Sequence, residues 1–159
     1  RALPLAAVAV VFALAACAPT KAPPPAPTQP SLPFDSADPI ARELVSATNN
    51  DRAASGLGPL AWNDQLGGLA QSWSEHLATT GQLVHQDLDA VRQMPAYSAF
   101  SDLKENLFSG QCSSTAGQIE AVFMNSPGHK ANILGNFTAV GIGVQCNGTQ
   151  VFITVVFGR

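Results

Sequence analysis

Basic residues are scarce in this sequence and never gather. The chain of 159 residues holds eight Lys and Arg against eleven Asp and Glu, and charged residues make up 12% of it. Neutralising a run of phosphates needs concentrated Lys and Arg, so nucleic acid is excluded as a partner. Cysteine is rarer still, with three in all and no CxxC spacing. No apolar run reaches the roughly 20 residues of a comfortable membrane span. What the chain does have is apolar content, at 46%, and enough length for one domain with a real core.

Residues 1–16 read as a leader rather than as fold. Ala2 to Ala16 is a short run of Ala, Val, Leu and Phe with one Pro, ending in small residues as a signal h-region does. Arg1 is all that stands of a charged n-region, as expected if the sequence is cut short at its start. Without these residues seven basic groups face eleven acidic ones, a net charge of −4. Leu14-Ala15-Ala16-Cys17 resembles a bacterial lipobox, which makes Cys17 the expected site of lipidation. The alternative is an ordinary secretory leader with Cys17 a bystander. Residues 18–39 carry eight of the twelve prolines and read as an extended, semi-rigid tether. The expected organisation is therefore a signal peptide over 1–16, a lipobox Cys and Pro-rich tether over 17–37, and a folded domain over 38–159. The protein is expected to be exported, either lipid-anchored at the bacterial cell membrane or extracellular.

Two cysteines remain for the domain. In an exported protein an even count suggests a disulfide, here Cys112–Cys146, with metal ligation or free thiols as the alternatives. A closed loop of about 35 residues would restrict the unfolded chain by roughly 3–4 kcal/mol.

Asp38-Pro39 predicts a capped helix start, and Gly56-Leu57-Gly58-Pro59 a stop. Asn63 caps a second helix whose stripe Leu66, Leu69, Ala70, Trp73, Leu77 is core. Gly81 ends that helix and leaves His85 in a loop, whereas His76 falls at the edge of the apolar face. Residues 86–102 read as one long loop. Leu103 to Phe108 alternates as a short strand with Glu105 beside two leucines, and composition alone favours a solvated strand end. Thr115-Ala116-Gly117-Gln118 matches a capping box for a third helix, with Ile119, Val122 and Phe123 on one face. Ser126-Pro127-Gly128 breaks that helix just before His129.

At the C-terminus, Asn147-Gly148 predicts a two-residue type I′ turn. That turn would set Cys146 opposite Thr149, Val144 opposite Val151, Ile142 opposite Ile153 and Val140 opposite Val155. Gly143 would then face Phe152. A ring over a glycine suggests that the second sheet face is covered too. A sheet covered on both faces needs helices on both sides, which predicts an α/β, three-layer α-β-α sandwich with a small, mostly antiparallel sheet.

From about Asp38 to Gly158 the chain resembles the CAP superfamily, also called SCP/PR-1-like, in its bacterial secreted branch. The matching pieces are Asn50-Asp51-Arg52, Gly56 to Trp62, His85, Glu105-Asn106-Leu107, Asn125 to Leu134, and Val140 to Val144. The resemblance implies the same sandwich and a cleft lined by two histidines and acidic residues, which in some members binds a divalent metal. His85, Glu105 and His129 match three of those four positions. Ser126 stands where animal members carry a Glu, so the full tetrad is absent.

The implied ligand-binding residues are His85, Glu105, Ser126 and His129, with His85 and His129 as metal ligands. No cofactor is required; zinc or another divalent cation is the implied metal. Two imidazoles and a carboxylate can hold zinc with an open position, or serve as acid, base and orienting group in hydrolysis. His85, Glu105 and His129 are thus the catalytic candidates, but no nucleophile elbow surrounds Ser126. Three functions follow. One is an envelope module binding a lipid-like or cell-wall-derived ligand. The second is a hydrolase, with or without zinc. The third is a structural wall protein with a vestigial cleft. The first is favoured, and an enzymatic role is the less expected.

Overall fold

The computed structural model describes residues 38–159. The expected leader, Cys17 and Pro-rich tether lie outside the described residues.

Local chemistry sets each helix start. Asp38 accepts from the Ile40 and Ala41 amides at 2.8 and 3.3 Å, with Pro39 in the first turn of α1 (Pro39–Ala54). After β1 (Ala61–Trp62), Asn63 accepts from the Leu66 amide at 3.0 Å and opens α2 (Asp64–Thr80). Gly81, at φ +68°, closes it in the left-handed conformation that favours glycine. The stretch expected as one loop contains α3 (Leu88–Gln93), capped by Asp87, and a 3₁₀ turn over Pro95–Tyr97. Six residues are too few for an apolar period to show, so the helix left no pattern to read. β2 (Leu103–Gln111) runs three residues beyond the expected strand.

The expected capping box is formed. Thr115 and Gln118 bond reciprocally at the start of α4 (Ala116–Asn125). Val122 does not join Ile119 and Phe123 in the core but is 49% exposed. Ser126-Pro127 ends α4 as expected, yet the same proline starts α5 (Pro127–Ile133). A residue without an N–H is tolerated at a first helical position, so the breaker is also a starter. His129 therefore sits in the first turn of a helix rather than in a loop.

β3 (Ala139–Asn147) and β4 (Gln150–Gly158) form the C-terminal hairpin, in a sheet of order β1-β3-β4-β2. β1 lies parallel to β3 and the other pairings are antiparallel. The expected register is displaced by two residues. Asn147 faces Gln150, Cys146 faces Val151, Val144 faces Ile153, Ile142 faces Val155 and Val140 faces Phe157. The turn is Gly148-Thr149, and only Gly148 has positive φ, at +63°. That fits a type II′ turn, which needs glycine at its first central position, and not the expected I′ turn. Asn147 instead stays in the strand and donates from Nδ2 to the Ala78 carbonyl at 2.8 Å, docking the hairpin on the end of α2. A shift of two leaves every side chain on its expected face, because the strand period is two.

The layers follow. On one face, Val140, Ile142, Val151, Ile153, Val155 and Phe157 pack with Leu44 of α1 and Ile119 and Phe123 of α4. On the other, Val156 packs with Leu66 and Ala70 of α2, and Phe152 with Leu77 and Ala78. Gly141 and Gly143 face Val156 and Thr154, not a phenyl ring. The second face is covered by helix backbone: a Cβ on Gly141 would overlap Leu66–Gly67, and one on Gly143 would overlap Ala70–Gln71. Ser74 finishes the contact, its hydroxyl 3.0 Å from both the Gly143 carbonyl and the Thr154 hydroxyl. The α-β-α sandwich is thus present. Cys112 and Cys146 are joined by a disulfide, with Cα atoms 6.0 Å apart.

Candidate functional site

Edge strand β2 carries the central residue. Alternation points Glu105 out of the sheet into a place where its side chain is 1% exposed. The solvated strand end expected from composition is therefore replaced by a buried carboxylate, which needs donors. The loop after α2 supplies them. His85 Nδ1 lies 2.7 Å from Glu105 Oε1, the Gln86 amide donates to the same oxygen at 3.3 Å, and Gln86 Nε2 donates to Oε2 at 2.6 Å. Gln86 is itself only 8% exposed. The loop is pinned from behind by Trp73 of α2, whose Nε1 donates to the Val84 carbonyl at 2.9 Å. His76 stacks on the same indole at 4.7 Å and stays outside this cluster.

A second set of bonds ties Glu105 to α5. Asn132 Nδ2 donates to the Glu105 carbonyl at 3.1 Å and to Asn106 Oδ1 at 2.8 Å. Asn106 Nδ2 donates to the His129 carbonyl at 3.1 Å. The His129 ring stands edge-on to Phe123 at 5.1 Å. Its Nδ1 is buried without a partner, which favours the tautomer protonated on Nε2. The structure thus joins His85 directly to Glu105 and links His129 to them through Asn106 and Asn132. Ser126 is half-buried at the α4–α5 junction, and its side chain makes no capping bond there.

The electrostatics follow from burial. Desolvation raises the Glu105 pKa above its ordinary value, and the bonds from Gln86 and His85 partly offset it. His129 is lowered, first by burial and then by the nearby His85 charge. The carboxylate holds His85 through Nδ1, so Nε2 is left free on a side chain that is 62% exposed.

The cavity beside this pair measures about 390 Å³ and is lined by His85, Asp87, Asp89, Lys104, Glu105 and Asn132, among others. It is polar, not the apolar cleft with a few polar groups that such sites usually form. Sequence reasoning missed Gln86, Asn106 and Asn132 as a supporting frame. Asn106 and Asn132 belong to the motifs of the resemblance, but Gln86 left no signal beyond its place next to His85.

For a metal, both Glu105 oxygens are already engaged. The carboxylate therefore acts on His85 as a second-sphere orienter and not as a third ligand. Among the described residues no group of three His, Cys, Asp or Glu is placed to hold a metal ion. Among them, too, no helix is long and apolar enough to cross a membrane.

An α-β-α sandwich with a small mixed sheet, and a histidine braced by a buried glutamate at its edge, defines a distinct class of α/β domain. The model of the CAP, or cysteine-rich secretory protein, family matches residues 45–157, and the chain belongs to that family. It is 32% identical over 127 residues to the uncharacterized protein YkwD of Bacillus subtilis, across 70% of this chain and 46% of that protein. The chain thus spans about half the length of that relative. An extracellular protein of Bacillus anthracis containing an SCP domain is 25% identical with a TM-score of 0.64, over 76% of this chain and 40% of that one. An outer surface protein of Borrelia burgdorferi shares the fold at 20% identity with a TM-score of 0.65, over 74% of this chain and 90% of that one.

Proposed function

We propose that this protein is a binding module of the bacterial cell envelope, tethered through Cys17, whose His85–Glu105 cleft holds a cell-wall-derived ligand. One observation carries the reading: an exposed imidazole is fixed through Nδ1 by a carboxylate that is itself buried, beside a polar cavity of ligand size. Fixing the ring lowers the cost of ordering it on binding and sets Nε2 as the group that meets the ligand. The lining of Asp87, Asp89, Lys104 and Asn132 offers hydrogen bonds and charge of both signs. That suits a glycan or peptide fragment of the wall better than a lipid-like molecule, the other ligand class expected for the family.

A second reading rests on the same 2.7 Å contact. A carboxylate on Nδ1 leaves Nε2 able to accept a proton, which is the orienting half of a general base in hydrolysis. A divalent cation would be held by His85 and His129 alone and therefore weakly, with Glu105 supporting His85 from behind.

Co-sedimentation with purified cell-wall sacculi and with phospholipid vesicles separates the readings. The module predicts retention on sacculi that falls at least about tenfold in His85→Ala, with vesicle binding unaffected by that change. Release of soluble fragments from sacculi, lost in the same variant, would favour the hydrolase instead. Unchanged retention in His85→Ala would remove the cleft from the account.

A further inference from the structure

An acidic pair lies away from this cleft, between α1 and α4. Glu120 of α4 is 4% exposed. Its Oε2 accepts from the Thr48 hydroxyl at 3.0 Å, while Oε1 is buried with no hydrogen-bond partner. Asp51 of α1 stands beside it, close enough for its charge to act on Glu120 and for the two carboxyls to share a hydrogen bond when Glu120 is protonated. An ionised carboxylate only accepts, so two of them side by side cannot satisfy each other. Either a proton or a cation has to lie between them.

The space for a cation is there. Both residues line a groove of about 480 Å³ whose other walls are Ala47, Gly117, Ala121 and Met124, with Asn50 and Asn125. Gly117, Glu120, Ala121 and Met124 fall at helical spacing along one stripe of α4, and Ala47 lies one turn before Asp51 on α1. Asp51 and Glu120 are the only charged residues among those lining the groove. A hard divalent ion takes six to eight oxygens in a small cage, whereas the charged part of this mostly apolar groove is two carboxylates. A primary ammonium brings three donors on a compact head, and a methylene stem behind it matches small and thioether walls.

We propose that the α1–α4 groove is a second binding site, taking a protonated primary amine on a short aliphatic stem, with Glu120 and Asp51 receiving the ammonium head. This site is independent of the His85–Glu105 cleft. Burial is the largest influence on Glu120; the Thr48 bond lowers its pKa, the charge of Asp51 and a hydrogen bond with it raise it, and the carboxyl titrates at about 7. Asp51 and Glu120 are the titratable groups that face the head from the two helices. A ligand of this kind competes with the Glu120 proton, and its affinity rises with pH through neutrality.

The test is calorimetric titration of the full chain with n-hexylamine, which stays charged at both pH values used. At about pH 8 the account predicts saturable binding, weakened at least about tenfold at about pH 5.5. Glu120→Gln keeps the shape and the Thr48 partner, and Asp51→Asn keeps the shape of Asp51; each should weaken binding at least about tenfold. Ala121→Phe, which adds bulk to the groove wall, should do the same, and n-hexanol should not bind. Circular dichroism establishes that each variant is folded. Absence of amine binding to the parent chain, equal binding by Glu120→Gln and Asp51→Asn, or binding of calcium chloride in place of the amine would each overturn the proposal.

Discussion

Single residues carry much of this fold's specificity, and Arg52 shows how. It is 3% exposed, and its guanidinium donates to a ring of backbone carbonyls: Gly58 at 2.9 Å, Ile133 at 2.7 Å, Gly135 at 2.9 Å and Phe137 at 3.1 Å. One side chain thus clamps the exits of α1 and α5 to the approach of β3. Lysine has no planar fork, so Arg52→Lys should cost roughly 2–4 kcal/mol, read as a lower midpoint in urea with little change in slope.

Glu120 makes a pH prediction with a definite sign. Its folded pKa lies above the unfolded value, so the folded state holds the proton more tightly. The stabilisation is complete below about pH 4.5 and is lost as pH rises through about 7. Glu120→Gln should abolish that fall and raise stability at pH 8 by up to ~3 kcal/mol. A parent chain whose stability climbs between pH 4.5 and 7 to the same extent as the variant's would contradict it. Glu105 is the residue that composition misplaced. Nothing in Leu103-Lys104-Glu105 tells that the 82–87 loop folds over the strand, because the donors that make burial tolerable come from about twenty residues away.

At the scale of elements, caps and breakers were legible and partners were not. Asp38-Pro39, Asn63, Gly81 and the Thr115–Gln118 box act within a few residues, so sequence contains the whole cause. The hairpin shows the limit. Alternation decided which side chains share a face, but Asn147-Gly148 as a turn competed with the docking of Asn147 on the Ala78 carbonyl, and the long-range bond won. Gly143, expected to lie opposite the Phe152 ring, and Gly141 beside it have α2 itself lying on them. Gly143→Ala therefore forces a Cβ into the Ala70–Gln71 backbone and should cost more than about 2 kcal/mol. Gly68→Ala, on the open side of the same helix, meets nothing within 4 Å and should stabilise by about 0.5–1 kcal/mol. Paired thermal melts of the two variants check both signs.

At the scale of the whole molecule, the three layers of the described residues are closed by a covalent link. The disulfide ties the end of β2 to β3 across a separation of 34 residues, at the rim of the apolar core between α1, α4 and the sheet. Replacing both cysteines by serine should leave the fold intact and lower its stability by roughly 3–4 kcal/mol, visible as a fall in melting temperature that matches the effect of reductant on the parent chain. The same sandwich brings α2, β2 and α5 to one end, and only there do His85, Glu105, Asn106, His129 and Asn132 meet. All five fall within the motifs that carry the resemblance, but only His85, Glu105 and His129 stand out there as site residues. The bonds among them depend on packing that no local pattern records.

The most direct measurement is the response of the His85 imidazole nitrogens, followed by NMR, as soluble cell-wall fragments are titrated into the protein. The account predicts a saturable change at His85 Nε2 and, in Glu105→Gln, affinity lower by at least about tenfold, equivalent to ~1.4 kcal/mol. Fragments that bind while His85 Nε2 stays unmoved, or that bind Glu105→Gln as tightly as the parent chain, would contradict it.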